Sequence, residues 1–281
     1  MQPDIVTTVG HRGKTHIQHG PLNDRVYLMK LDTVDLPDIA DHMEELGRNE
    51  GYSKLFARVP AFAAEAFTER GFIREARAHG LYRGERSGMF MGKYLDAARA
   101  EPEDRKAISN VLAIAGDKTA IDPDEVDTAA VVALGTGHAQ ALAQLYGTVF
   151  ESYPFPVHDP DFLISAMQSN VRFFGIFRKD QLVAASSAEL DADWRCAEMT
   201  DFATLPEYRN RKAALRLLTA MEAAIAEQGY LSAYTIARAA STAMNCVFAR
   251  AGYTFGGTLI NNTNISGGLE SMNVWSKPLA A

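Results

Sequence analysis

EMTDFATLPEYRNRKAALRLLTAMEAA, residues 198–224, changes its period once. Up to Leu205 it reads as a strand, ended by Pro206. From about Arg211 to Gln228 it reads as a long helix with Leu215, Leu218, Met221 and Ile225 on one face. Small residues at the helix start leave its first N–H groups approachable, and the positive end of the helix dipole favours an anion there. Arg209, Arg211 and Lys212 add charge to the same turn. The spacing predicts an anion site able to hold a pyrophosphate, with a basic surface helix start as the alternative.

Working outward, Val171–Asp191 predicts a hairpin turning at Arg178–Gln181, and Ala129–Leu134 a strand followed by an amphipathic helix over His138–Phe150. The segment ESYPFPVHDPDF, from Glu151, reads as a loop. Before it, DKTAIDPDEVD (Asp117–Asp127) is acidic, contains Pro123 and lacks a hydrophobic period, so it reads as a linker. Ala100–Ala115 predicts a short connecting helix. With about 100–200 residues expected per domain, 281 residues suggest two: 1–117 and 127–281, joined by 118–126. The two regions resemble one another. Gly51-Tyr52 and Gly229-Tyr230 each precede a strand and then a helix, in which Phe67 and Phe248 stand four residues before Gly71 and Gly252. Each copy then ends in two strands.

Against 35 acidic residues stand 28 Lys and Arg, a net charge of −7 with no basic stripe, which argues against nucleic acid as a partner. At 47% hydrophobic, the chain can bury two cores. Two cysteines, Cys196 and Cys246, supply neither a disulfide framework nor a zinc site, and His11, His16 and His19 lack partners at metal-ligand spacing, so no metal is expected. The first residues carry no apolar run of signal-peptide length, and no membrane-spanning stretch occurs. The expectation is a cytoplasmic protein.

The turn resembles the acetyl-CoA signature of the GCN5-related N-acetyltransferases (GNAT), Pro-x-x-Arg-x-x-Gly-x-Gly/Ala, at Pro206, Arg209 and Ala214. Lys212 stands where the first glycine belongs, a departure expected to weaken or reshape the site. Further segments, GPLNDRVYLMKLD, GYSKLFARVP, FMGKYL and GGTLINNTNISGGLESMNVW, extend the resemblance along nearly the whole chain to the beta-lysine N-acetyltransferase family. It implies a mixed α/β GNAT acyl-CoA N-acyltransferase fold preceded by a smaller GNAT-like half domain. It also implies acetyl transfer from acetyl-CoA to the N6 amine of beta-lysine (3,6-diaminohexanoate), yielding a compatible solute, with lysine 2,3-aminomutase as metabolic partner. The first region lacks the Pro-x-x-Arg turn and is expected not to bind a nucleotide. Packing on the catalytic domain, covering the acceptor pocket and mediating a homodimer are the tasks open to it.

On this resemblance Phe202, Ala203 and Thr204 would bind the pantetheine arm through their backbone, and Arg209, Asn210, Arg211, Lys212, Ala213 and Ala214 the phosphates, with Ser241 and Asn245 completing the donor site. Glu198 is the first choice for the base that takes the amine's proton, and strand parity places it with Thr200, Phe202 and Thr204, opposite Asp201. Many relatives place a tyrosine where this chain has Phe248, so that either Tyr208 or a water protonates the thiolate or the thiolate leaves unaided. Glu151, Tyr153, Asp159 and Asp161 lie where the superfamily closes over its acceptor, and the last hairpin offers Asn261, Asn262, Asn264 and Glu270. Transfer to another amine (lysine, a polyamine, an aminoglycoside) and a non-catalytic acetyl-CoA-binding module remain alternatives.

Overall fold

Helix-ending glycines organise the chain. In the computed structural model, which describes residues 4–151, 153, 155–265 and 267–279, Gly51, Gly71, Gly229 and Gly252 all have φ between 74° and 86°. Each follows a helix and precedes an aromatic residue. At all four the aromatic residue's N–H bonds the carbonyl five residues back, as in Tyr52 to Gly47 at 2.8 Å and Tyr253 to Phe248 at 3.0 Å. The glycine's own N–H bonds the carbonyl three back. This cap satisfies the last carbonyls and requires a left-handed residue that glycine adopts without strain.

The first half comprises β1 (Ile5–Val9), β2 (Thr15–Gly20), β3 (Arg25–Lys30), α1 (Asp38–Glu50), β4 (Lys54–Pro60), α2 (Ala64–Thr68), β5 (Ile73–Tyr82) and β6 (Arg86–Tyr94). Helix α3 (Arg105–Gly116) follows. The second half opens with β7 (Val131–Leu134), α4 (Ala139–Val149) and α5 (Pro160–Gln168). It continues through β8 (Val171–Arg178), β9 (Gln181–Asp191), β10 (Cys196–Thr204), α6 (Ala213–Glu227), β11 (Ser232–Arg238), α7 (Thr242–Arg250), β12 (Thr254–Ile265) and β13 (Gly268–Pro278).

All thirteen strands form one mixed sheet in the order β1-β2-β3-β4-β6-β5-β12-β13-β11-β10-β9-β8-β7. From either end, β7 aside, the order is the same: a meander, a parallel neighbour (β3 with β4, β10 with β11), then a hairpin. The halves therefore meet through equivalent strands, β5 and β12. At this seam a Cβ on Gly256 would lie 2.0 Å from the Arg77 carbonyl oxygen, and one on Gly257 2.2 Å from that of Glu75. Glycine is what lets the two edges pair. One apolar core spans the seam, with Phe56, Leu81, Tyr82 and Phe90 packed against Tyr234, Leu259, Met272 and Val274.

The repeat extends to side chains. Lys93 pairs with Glu44 at 2.5 Å beneath Phe72, and Lys277 pairs with Glu222 at 2.6 Å beneath Tyr253. Helix α3 packs on the second half, with Ala115 in its core, and Ile121 of the segment expected as linker donates to the Arg250 carbonyl at 2.8 Å. The segment expected as a loop after Glu151 runs into α5, capped by Asp159 with Pro160 in its first turn.

Candidate active site

Strands β10 and β11 pair in parallel over three residues only, ending where Glu198 faces Tyr234. Beyond that point β10 follows β9 as far as Thr204, while β11 follows β13 as far as Arg238. A bulge between Thr200 and Ala203, with Asp201 at φ 56°, turns β10 away. The gap opens a cleft of about 120 Å³ walled by Thr200, Asp201 and Phe202 on one side, Thr235 to Arg238 on the other, and Met244 and Phe248 of α7 with its cap Ser241. Tyr153 and Ile265 close it. A backbone edge left without a neighbouring strand can take an extended, amide-bearing arm as its partner.

At the far end of β10 a single 3-10 turn, Pro206–Tyr208, leads to α6. Asn210 and Lys212 both hold left-handed backbone, at φ 60° and 59°. The first intrahelical bond runs from Arg216 N–H to the Lys212 carbonyl at 3.0 Å, and no side chain caps the helix. The N–H groups of Ala213, Ala214 and Leu215 are thus free for an anion. Arg209, Arg211 and Lys212 surround them, all exposed. Free amides, three cations and an unpaired strand edge fit a pyrophosphate carrying a pantetheine arm. Lys212 takes the backbone shape that the signature's glycine would supply, at a cost of roughly 1 kcal/mol. Lys212→Gly should therefore be more stable than Lys212→Ala by about that amount, a rise of roughly 2–4 °C in Tm. Both should raise KM for acetyl-CoA by roughly two- to fivefold for the lost cation. Thermal unfolding and initial rates test this, and a glycine variant melting below the alanine one refutes the strain.

Glu198 is half-buried, and its Oε2 accepts the Tyr234 hydroxyl at 2.8 Å. Burial raises its pKa above the ordinary carboxylate value, while the Tyr234 bond and the Arg58 charge pull it down. Its neighbours Met199 and Thr200 line the cleft. The bulge overturns the parity expected for Asp201. Its carboxylate accepts from Ser187 Oγ at 2.5 Å and from Tyr153, so it lies on the side of Thr200, which faces Ser187 across the ladder. Burial raises the Asp201 pKa against these bonds.

Of the residues expected at the site, Phe202, Ser241 and Tyr153 meet in the cleft. Tyr208 does not line it and lies under the Arg211 guanidinium at 5.3 Å, whereas Tyr153 lines the cleft and donates its hydroxyl to Asp201. Asn245 is fully buried. Its amide donates to the Arg238 and Ser241 carbonyls and its oxygen accepts from Asn273 and Trp275, leaving nothing for a ligand. Glu270 is paired twice with Arg238, at 2.6 and 2.8 Å, so its charge is already matched. Asp159 is an exposed helix cap, and Glu151 is exposed. Sequence reasoning missed Tyr234 and Arg58, which no motif marks.

Residues 140–253, which contain the cleft and the basic turn, match the Acetyltransferase (GNAT) family. Over 262 residues the chain is 36% identical to a beta-lysine N(6)-acetyltransferase of Methanococcus maripaludis, covering 93% of this chain and 95% of that protein. The chain belongs to the beta-lysine N-acetyltransferase family. The N-acetyltransferase YodP of Bacillus subtilis is 31% identical over 94% of this chain and 95% of its own. A beta-lysine N(6)-acetyltransferase of Methanosarcina mazei is 38% identical over 50% of this chain and 52% of its own. This family member is an acetyl-CoA-dependent N-acetyltransferase.

Proposed function

We propose that this acetyltransferase moves the acetyl group of acetyl-CoA to the N6 amine of beta-lysine, with Glu198 as proton acceptor. The observation that carries the reading is the likeness to a beta-lysine N(6)-acetyltransferase through both halves, including the half that sends Arg58 to Tyr234. A side-chain ammonium near pKa 10.4 leaves about one molecule in a few thousand as free amine at pH 7, so a base is needed at the acceptor. Glu198 fits that role. One oxygen is held by Tyr234, and the other makes no hydrogen bond among the described residues. Acetyl-CoA supplies an activated acetyl thioester. The free amides at the start of α6 hold its phosphates, and the Phe202–Thr204 backbone holds its arm. Arg238, on the cleft wall, gives Nε and Nη2 to Glu270, and its remaining Nη1 is the donor suited to the acceptor's carboxylate.

Because Phe248 offers no proton, Tyr153, which lines the cleft with its hydroxyl on Asp201, is the candidate to return one to the departing thiolate. The product fits a compatible solute, and its acceptor would come from a lysine 2,3-aminomutase. Incubation with acetyl-CoA and either beta-lysine or alpha-lysine tests the reading, following thiol release and locating the acetyl group by NMR. At least tenfold higher kcat/KM with beta-lysine, acetylated at N6, is expected. Equal rates on both diamines, or acetylation at the other nitrogen, would refute the acceptor assignment.

A further inference from the structure

Arg58 belongs to β4, in the half that contains neither Glu198 nor the basic turn. Its side chain is only 16% exposed. Nη1 donates to the Tyr234 hydroxyl and Nη2 to the Met29 carbonyl at 3.0 Å, with the Asp191 carboxylate 3.9 Å away. Tyr234, on β11, is 2% exposed, with the carbon of the same guanidinium 5.6 Å from its ring centroid. An arginine can only donate. With Arg58 occupying an acceptor position on the phenol oxygen, the single phenolic proton is turned to Glu198 Oε2. The chain of donors thus has one direction, and it ends on the Glu198 carboxyl oxygen.

The matching positions in the first half carry no such pair. Where the second half places Glu198 opposite Tyr234, the first places Tyr27 opposite Phe56, with ring centroids 4.7 Å apart. That half has no carboxylate at the equivalent point and lends an arginine to its neighbour instead.

We propose that Arg58 is a positioning residue for acetyl transfer: acting through Tyr234 across the seam, it orients Glu198 and holds it ready to accept the amine's proton. This rests on Glu198 being the proton acceptor. The groups facing Glu198 are Tyr234 on β11, Arg58 on β4, Tyr27 on β3, Glu189 on β9 and Asp201 on its own strand. Among them Arg58 is the one cation. Without it, burial is opposed only by the Tyr234 bond, so Glu198 holds its proton to higher pH.

The test compares the wild-type enzyme with Arg58→Gln, Arg58→Lys, Tyr234→Phe and Glu198→Gln, and with the double variant Arg58→Gln/Glu198→Gln. kcat and kcat/KM are measured against pH with saturating acetyl-CoA, with thermal melts to check folding. Arg58→Gln and Tyr234→Phe should each lose about tenfold in kcat at pH 7, move the acid limb of kcat/KM upward and regain rate at higher pH. Arg58→Lys, which keeps the charge, should restore part of that limb. On top of Glu198→Gln, Arg58→Gln should cost little more, because both act through one group. A folded Arg58→Gln or Tyr234→Phe with an unmoved limb overturns the proposal, as do losses that multiply with Glu198→Gln. If Arg58→Gln does not fold, Tyr234→Phe decides, since it removes only the hydroxyl. Wild-type kcat in Glu198→Gln overturns the base assignment and the proposal with it. A Glu198→Gln that is inactive beside an unmoved limb in Tyr234→Phe overturns the role of Arg58 alone.

Discussion

Glu198→Gln is expected to lower kcat by about 10²- to 10⁴-fold, the range of a positioned general base, with little change in KM for acetyl-CoA. The substitution is nearly isosteric, and the Tyr234 hydroxyl can still donate to the amide oxygen, so the thermal melt should hardly move. In the wild type, kcat/KM should rise with pH as Glu198 loses its proton. Its pKa is raised by burial, so this limb lies above that of an ordinary glutamate. The rise that belongs to the amine itself, extending toward pH 10, should survive in the variant while the Glu198 limb disappears. Rates measured from pH 5 to 10 read both. A variant within threefold of wild type across that range removes Glu198 from the chemistry and leaves Asp201, the half-buried carboxylate in the cleft, as the group to replace next.

What could be read beforehand follows from how local each signal is. The glycine-aromatic pairs, the 3.6 period of α6 and the basic turn are short-range patterns, and the repeat of strands and helices was legible from them. The helix at Pro160 was also within reach, because Asp159-Pro160 is a cap followed by a first-turn proline. The bulge at Asp201 was not. Parity counting assumes a regular strand, and an extra residue with positive φ puts the aspartate on the side assigned to its neighbours. Arg58 lay further out of sight. It acts 176 residues from Tyr234, through a seam whose strands meet only because Gly256 and Gly257 have no side chains.

The seam itself supplies the second large effect. Lys54 is fully buried and Glu75 nearly so, and they pair at 2.9 Å. Burial lowers the Lys54 pKa to about 8, with Glu75 acting to hold the proton on. Lys54 Nζ also donates to the Ile260 carbonyl at 2.7 Å, and Glu75 accepts the Ile260 N–H at 2.9 Å and the Tyr94 hydroxyl. Two charges of the first half thereby hold both backbone groups of one residue where the β12 ladder is interrupted, between Leu259 and Thr263. Lys54→Met should leave Glu75 charged and uncompensated, at a cost of about 3–5 kcal/mol, and lower Tm by roughly 10 °C or more. Glu75→Gln added to it should recover a large part, because the amide oxygen still accepts from Ile260 and no buried charge remains. Since β12 runs on to Ile265 in the cleft wall, the single variant should also raise KM for the amine. A melt within 2 °C of wild type for Lys54→Met would show that water reaches the pair and that the seam is looser than its packing.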